Sequence, residues 1–474
     1  VHFATLQFIY FLAVVVTVAW VLRRHRTAHK VFLLAASYFF YGRLNFSLMT
    51  LLVVSSLLNW ALGEIAFYAA RPGVRKTALV VALVSNLGVL ALYKYYGFFT
   101  QIVGDVARGL ELESHLPILE LALPLGISFF TFQGIAYVVD LYRGRGTRAE
   151  SALDFLLFIA FFPKLLAGPI CRSKELLPQI ASGPPPLVPD LSRATTLIAS
   201  GFFKKMVLAT VLSTRLVDDA FIAPENYSGS ALLLAAYAYS IELYCDFSGY
   251  TDVARGVALL LGYRLPENFK APYAATDPGL FWRRWHATFS SWLRDYVYFP
   301  LGGSKRGLAR TLLNLLLTFT ISGLWHGASW GYVLWGFLHG LALCVHKLVR
   351  EWRKAAGWLG REPYWWLGIG WLLTFNFVVF SRICFRTGDL QTAGVFIERM
   401  LSGIGEGASA DGWVIIATVA GLALNFVGAP ARAMMIRLQE RMPMPLRPVY
   451  WTALAMLILA VKPGDVAPYI YFQF

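Results

Sequence analysis

From Thr311 to His346 the sequence holds no Asp, Glu, Lys or Arg, thirty-six residues in a row. So long an uncharged stretch does not suit a solvated surface and fits the hydrocarbon layer of a membrane. Charge is scarce elsewhere too: it makes up 15% of the 474 residues, against 57% hydrophobic, and the mean hydropathy is +0.57. That balance excludes a disordered chain and an ordinary soluble domain. It predicts an all-α polytopic integral membrane protein, a single domain over residues 1–474. Cysteine is nearly missing. Cys171, Cys245, Cys344 and Cys384 stand apart in apolar contexts with no CxxC, which excludes a disulfide framework. There is no Walker A loop, dinucleotide fingerprint, HExxH helix or internal repeat, so no bound cofactor and no metal is expected.

What charge there is leans one way: 42 Lys and Arg against 27 Asp and Glu, net +15. A nucleic-acid surface would gather such charge. Here it punctuates apolar segments, as topology signals do, so no nucleic-acid partner is expected. Fifteen Trp, 23 Tyr and 35 Phe suit interface belts and packed spans. Residues 3–22 read as a first span, not a cleavable signal, with the basic run 23–26 inside and the N-terminus outside. Two short spans are expected over 31–63, broken around 42–45, and another over 77–93. Glu111, Glu113 and Glu120 mark an outside loop. Residues 116–139, with Pro124 and Gly126, read as a kinked helix. Residues 153–169 are too short to cross and contain Pro163, so they are expected to be re-entrant. Residues 183–189 form a proline-rich loop. Spans follow at 198–217, 230–247, 365–380, 413–427 and 450–461, before a tail at 467–474. Ten to twelve crossings are expected, with short re-entrant or interfacial helices.

Two adjoining segments carry the chemistry. In the first, Asp277 is a natural N-cap and Pro278 fits the first helical position. Trp282, Trp285, Phe289, Trp292 and Tyr296 then recur at 3, 4, 3 and 4 residues, one stripe of a helix running to Pro300. Arg283, Arg284 and Arg294 lie off the stripe, and His286 stands beside two arginines. The second segment is the uncharged run. Its basic flanks predict that it enters and returns as two short or broken helices with His326 deep near the turn. Gly323, Gly327 and Gly331 recur every four residues, as do Gly336 and Gly340; small residues at that spacing let helices touch. Glycine on both sides of His326 leaves space for a ligand. An ionisable side chain inside a membrane points to function, and neutral imidazole is a general base toward a hydroxyl. The plainer reading, a core histidine bonded to helix backbone, also fits the residues, and it is the weightier one for His339 and His346.

The motifs Phe281-Trp-Arg-Arg-Trp-His286, Trp292-Leu-Arg-Asp-Tyr296, Pro300-Leu-Gly-Gly303 and Leu324-Trp325-His326-Gly327, in that order, resemble the signature of the membrane-bound O-acyltransferase family. The nearest branch is the bacterial one that includes the alginate O-acetylation membrane protein and the D-alanyl-teichoic-acid membrane transferase. The core motif region is 120–346. The resemblance implies that His326 is catalytic and that His286 is a second important histidine. It also implies a bacterial inner-membrane location and a periplasmic esterase-like (SGNH-type) acetyltransferase as partner, with other polysaccharide modification and secretion proteins.

Further candidates have weaker signals. Lys164, inside Phe161-Phe-Pro-Lys-Leu-Leu-Ala-Gly-Pro169, meets a polar or anionic ligand group or snorkels to the interface. Asp246 and Tyr250 are four apart and share a helix face. With Ser248 they are not a hydrolase elbow, because GxSxG is missing; they shape the reaction chamber or form a polar helix end. Asn268 leads along a loop to the Asp277 helix. The reading is an O-acyltransferase. Its donor is an acyl thioester on coenzyme A or phosphopantetheine, drawn to Arg283, Arg284 and either Lys305 or Lys164. His326 is the base, and His286 orients the pair or stabilises the oxyanion. Acetyl transfer to an exported, alginate-like polysaccharide is expected, with D-alanyl or acetyl transfer to teichoic acid or peptidoglycan as the alternative. A transporter or flippase and a non-catalytic secretion scaffold are the rival classes.

Overall fold

The computed structural model describes residues 6–43, 46–112, 117, 121, 123–185, 188, 190–358, 360, 363–403, 405, 407–464 and 469. The expected tail at 467–474 apart from Tyr469, the acids Glu113 and Glu120, and three residues of the proline-rich loop lie outside them. The described residues are helical with no strand among them; one isolated bridge pairs Tyr227 with Ala408. They form two compact units, one of residues 1–195 and 253–266, the other of residues 196–252 and 267–474.

The first unit opens with α1 (Leu6–Leu22), α2 (Arg26–Gly42), α3 (Phe46–Tyr68) and α4 (Pro72–Gly109). The break between α2 and α3 falls where the sequence places it. Pro72 at the first helical position starts α4, which runs well past residue 93 through a π-helical turn at Ala91–Tyr95. Then come α5 (Ile127–Tyr142), α6 (Ala152–Ala160), α7 (Phe162–Leu165) and α8 (Ser173–Ser182). The kinked helix expected over 116–139 is corrected: Pro124 and Gly126 lie ahead of the helix and do not kink it. Gly126, at φ 76°, ends the approach, and α5 starts after it. The 153–169 stretch makes two short buried helices and no full span. Where α3, α4 and α5 meet, Asn59 and Asn86 exchange side-chain hydrogen bonds of 2.8 and 3.2 Å. Asn–Asn pairs hold helices together where lipid offers no hydrophobic drive.

Two helices carry the chain between the units, α9 (Leu191–Ile222) and α10 (Gly229–Leu260). The expected end of α10 at the polar stretch 244–252 is corrected: the helix runs through it. Lys204 bonds Asp252 and Ser248, each at 2.8 Å, and Lys205 pairs with Asp246, so the acids are neutralised inside the structure. The second unit continues with α11 (Pro278–Arg284), α12 (Ala287–Leu293), α13 (Gly307–His326), α14 (Trp330–Ala355), α15 (Tyr364–Thr387), α16 (Leu390–Ser402), α17 (Gly412–Arg441) and α18 (Leu446–Val461). Among the described residues seven helices, α3, α4, α9, α13, α14, α15 and α17, are long and apolar enough to cross a membrane, with shorter apolar helices at Gln7–Leu22, Ile127–Tyr142 and Leu446–Val461. The protein is an all-α, multi-pass membrane protein.

Two expectations for the second unit need correction. The uncharged run is not a pair of short helices. α13 and α14 have 20 and 26 residues because each extends past the charged flanks, and His326 closes α13 beside the turn. The helix from Asp277 is not continuous either; it breaks at His286. The glycine spacing, by contrast, does what it promises. A Cβ on Gly336 would meet the Gly323 Cα at 2.9 Å and run into the Phe319 carbonyl, so α13 and α14 cross backbone to backbone. Gly336→Leu is therefore expected to cost about 1–3 kcal/mol or more, seen as a lowered unfolding temperature in detergent. Gly88→Ala, whose Cβ meets nothing within 4 Å, should gain about 0.5–1 kcal/mol. Wild-type melting of Gly336→Leu would show that the helices do not cross there.

Candidate active site

The site begins with a corner in the backbone. The Asp277 carboxylate caps α11 by accepting from the Leu280 N–H at 2.7 Å. After one short helix Trp285 is extended, and His286 takes left-handed angles, φ 44° and ψ 51°. Histidine is among the residues enriched in that region. The corner leaves α12 without a cap of its own, and Asn268 supplies one. Its Oδ1 accepts from the Thr288 N–H at 3.2 Å and the Thr288 hydroxyl at 2.9 Å. The same oxygen lies 3.1 Å from His286 Nδ1. A carbonyl oxygen only accepts, so Nδ1 carries the proton and Nε2 is the acceptor of the ring. Burial pushes the His286 pKa down to about 3, which keeps the ring neutral. A neutral ring with this tautomer orients a donor; it does not donate from Nε2 to an oxyanion.

His326 is the last residue of α13 and is 6% exposed. Its ring stands edge-on to Trp325 at 4.5 Å, Trp335 at 5.1 Å, Phe385 at 5.1 Å and Phe289 at 5.8 Å. Phe289 of α12 stacks on Trp325 of α13 with centroids 4.1 Å apart. His286 lies against the same two rings, 5.0 Å from Phe289 and 6.3 Å from Trp325. The two histidines thus belong to one aromatic cluster in the second unit. The space expected beside the flanking glycines is filled by protein: the Tyr332 ring at Gly327, the Tyr332 carbonyl and Gly336 at Gly323. Two buried polar atoms near His326 have no hydrogen-bond partner among the described residues. They are Ser322 Oγ, one turn earlier on the same helix, and Trp335 Nε1. Buried donors in that state favour a polar ligand group.

The other sequence candidates divide. Trp325 is part of the cluster, and Asn268 holds His286. Asp246 pairs with Lys205, and Tyr250 rests on Tyr469 at 4.8 Å. Arg283 and Lys305 are exposed, and Arg284 is half-buried, 3.4 Å from the Ala271 carbonyl. Lys164 belongs to the first unit, where it neither snorkels nor stands open: it is 0% exposed and donates to the Gln133 side chain and, at 3.2 Å, to the Ile159 carbonyl. His339 accepts from Trp282 Nε1 at 3.3 Å and meets Ser381 at 3.2 Å, a core role; His346 meets Asp277 at 3.5 Å. Among the described residues no group of three His, Cys, Asp or Glu could hold a metal. Sequence reasoning missed Lys204 and Lys205, whose signal was two adjacent lysines in an apolar helix. It also missed Trp335 and Phe385, which carry no sequence signal beyond being aromatic.

Comparison with known proteins adds an independent line. Residues 147–385 match the membrane-bound O-acyltransferase family. The chain is 36% identical over 374 residues to the probable alginate O-acetylase AlgI of Pseudomonas syringae pv. tomato, covering 79% of this chain and 70% of that protein. It is 35% identical over 399 residues to the peptidoglycan O-acetyltransferase of Helicobacter pylori, covering 78% and 73%. A Bacillus subtilis teichoic acid D-alanyltransferase is 30% identical over 283 residues, covering 58% and 71%.

The corner at His286 is testable by itself. Nitrogen-15 imidazole spectra at neutral pH should show His286 protonated at Nδ1; a proton on Nε2 would contradict the Asn268 geometry. Asn268→Ala should lower stability by about 1–3 kcal/mol, read from melting in detergent.

Proposed function

Since the chain belongs to the membrane-bound O-acyltransferase family, as a multi-pass O-acyltransferase, we propose that it takes acetyl from a cytoplasmic thioester and passes it across the bacterial inner membrane for O-acetylation of an exported, alginate-like polysaccharide. The observation that carries the reading is the shared aromatic cluster: His326 and His286 both rest on Phe289 and Trp325, with the unpartnered Ser322 Oγ and Trp335 Nε1 at hand. In the proposed step an incoming hydroxyl gives its proton to the His326 imidazole while its oxygen attacks the thioester carbonyl. The tetrahedral intermediate collapses, the C–S bond breaks, and the imidazolium returns the proton to the thiolate. The products are an ester and a free thiol. His286 keeps its Nδ1 proton on Asn268 and orients the hydroxyl through Nε2.

The exposed Arg283 and Lys305, with Arg284 beside them, suit the phosphates of coenzyme A or a phosphopantetheine carrier. Lys164 has protein partners already and is left out of donor binding. The alginate-like acceptor rests on the 36% identity to the Pseudomonas syringae relative over 79% of the chain; the teichoic acid relative reaches 30% over 58%. A periplasmic SGNH-type acetyltransferase is the partner that would receive the acetyl group on the far side.

The test is O-acetyl content of surface polymer beside a blot of membrane protein level. His326→Ala should lose at least about a hundredfold, within the span general-base removal produces, and His286→Asn, which keeps the left-handed corner, about tenfold or more. Normal acetylation by His326→Ala at normal protein level would reject base catalysis in favour of a scaffold. Purified protein should also release free thiol from acetyl-CoA; a transporter would not.

A further inference from the structure

Between α17 and α18 the second unit has a cleft of about 320 Å³, floored by Phe203 and Lys204 of α9 and Tyr244 of α10. Its walls are apolar, with Leu424 and Leu457 facing it from the two helices. Two cations line it. Lys204 is already satisfied by Asp252 and Ser248. Arg432 is different. It is half-buried and makes no hydrogen bond or ion pair with the described residues. It is also the first charge on α17 after residues 412–431, twenty residues with none. A run of that length spans about 30 Å of helix, the thickness of a hydrocarbon core.

A guanidinium held half out of water without a counter-charge among the described residues calls for an anion. Phosphate matches its planar fork through two parallel bonds. The apolar walls call for a chain attached to that anion. Because α17 is a candidate span, a ligand reaches the cleft sideways from the bilayer. Arg432, Arg437, Arg441 and Arg447 mark this end as cytoplasmic, the leaflet that carries anionic lipid. We propose that this cleft, whose lining includes neither histidine of the aromatic cluster, binds one anionic phospholipid, its phosphate on Arg432 and an acyl chain between α17 and α18.

The purified full chain, stripped of lipid in detergent, would be incubated with phosphatidylglycerol or phosphatidylcholine and the retained lipid counted by native mass spectrometry. One phosphatidylglycerol per chain is expected, held at least tenfold more tightly than phosphatidylcholine. Arg432→Gln should weaken it at least tenfold. Gly428→Leu should abolish it by filling the cleft, since a Cβ there meets only Arg432 Nη1, at 3.6 Å. Arg437→Gln, on the exposed side of α17, should bind as wild type. Melting checks the fold of each variant, and Gly428→Leu decides alone if Arg432→Gln does not fold. Unchanged retention in the deciding variant, equal binding of phosphatidylcholine, or displacement by inorganic phosphate would overturn the proposal.

Discussion

Phe289 lying on Trp325 is the contact through which two histidine-bearing segments become one site. An aromatic pair adds only about 0.5–1.5 kcal/mol beyond burial, too little to position two segments unaided. Its partners must therefore be delivered. Trp325 is delivered by α13, seated on α14 where Gly323 meets Gly336. Phe289 is delivered by α12, which exists as a separate helix because the chain turns at His286 and Asn268 caps the new start. One glycine crossing and one left-handed residue thus set the geometry of everything around His326.

A second constraint lies in the α9–α10 pairing. Lys204 and Lys205 are adjacent, so in a regular helix their directions would differ by about 100°. They sit in a π-helical stretch, Phe203–Ala209, and both are buried, one on Asp252 and the other on Asp246. Buried pairs of this kind add little when intact, yet losing one partner costs about 3–5 kcal/mol. The two pairs therefore reject a slipped register more strongly than they stabilise the correct one.

Much of this was legible in the sequence. The uncharged runs gave most of the candidate spans, though not the one expected at 230–247; Asp277 and Pro278 gave a helix start, and the four-residue glycine spacing gave the α13–α14 contact. What escaped has physical reasons. The stripe from Trp282 to Tyr296 keeps helical period straight through the break, because no glycine or proline announces the corner at His286. The acids at 246 and 252 looked like a helix end because their lysine partners lie more than forty residues away. Glycines around His326 suggested open space, but Tyr332, invisible to any local pattern, fills it. Amphipathic α16 carries too few consecutive apolar residues to register as a span.

The angles of His286 also bear on how that position can be read by replacement. Few side chains tolerate a φ of 44°; Asn and Asp do so through short polar groups, and glycine because it has no Cβ. A valine or isoleucine there would report on whether the corner can form at all, before any imidazole is missed. Asparagine keeps the corner and removes the ring. Comparing the two separates architecture from chemistry at a residue where a single alanine would confound them.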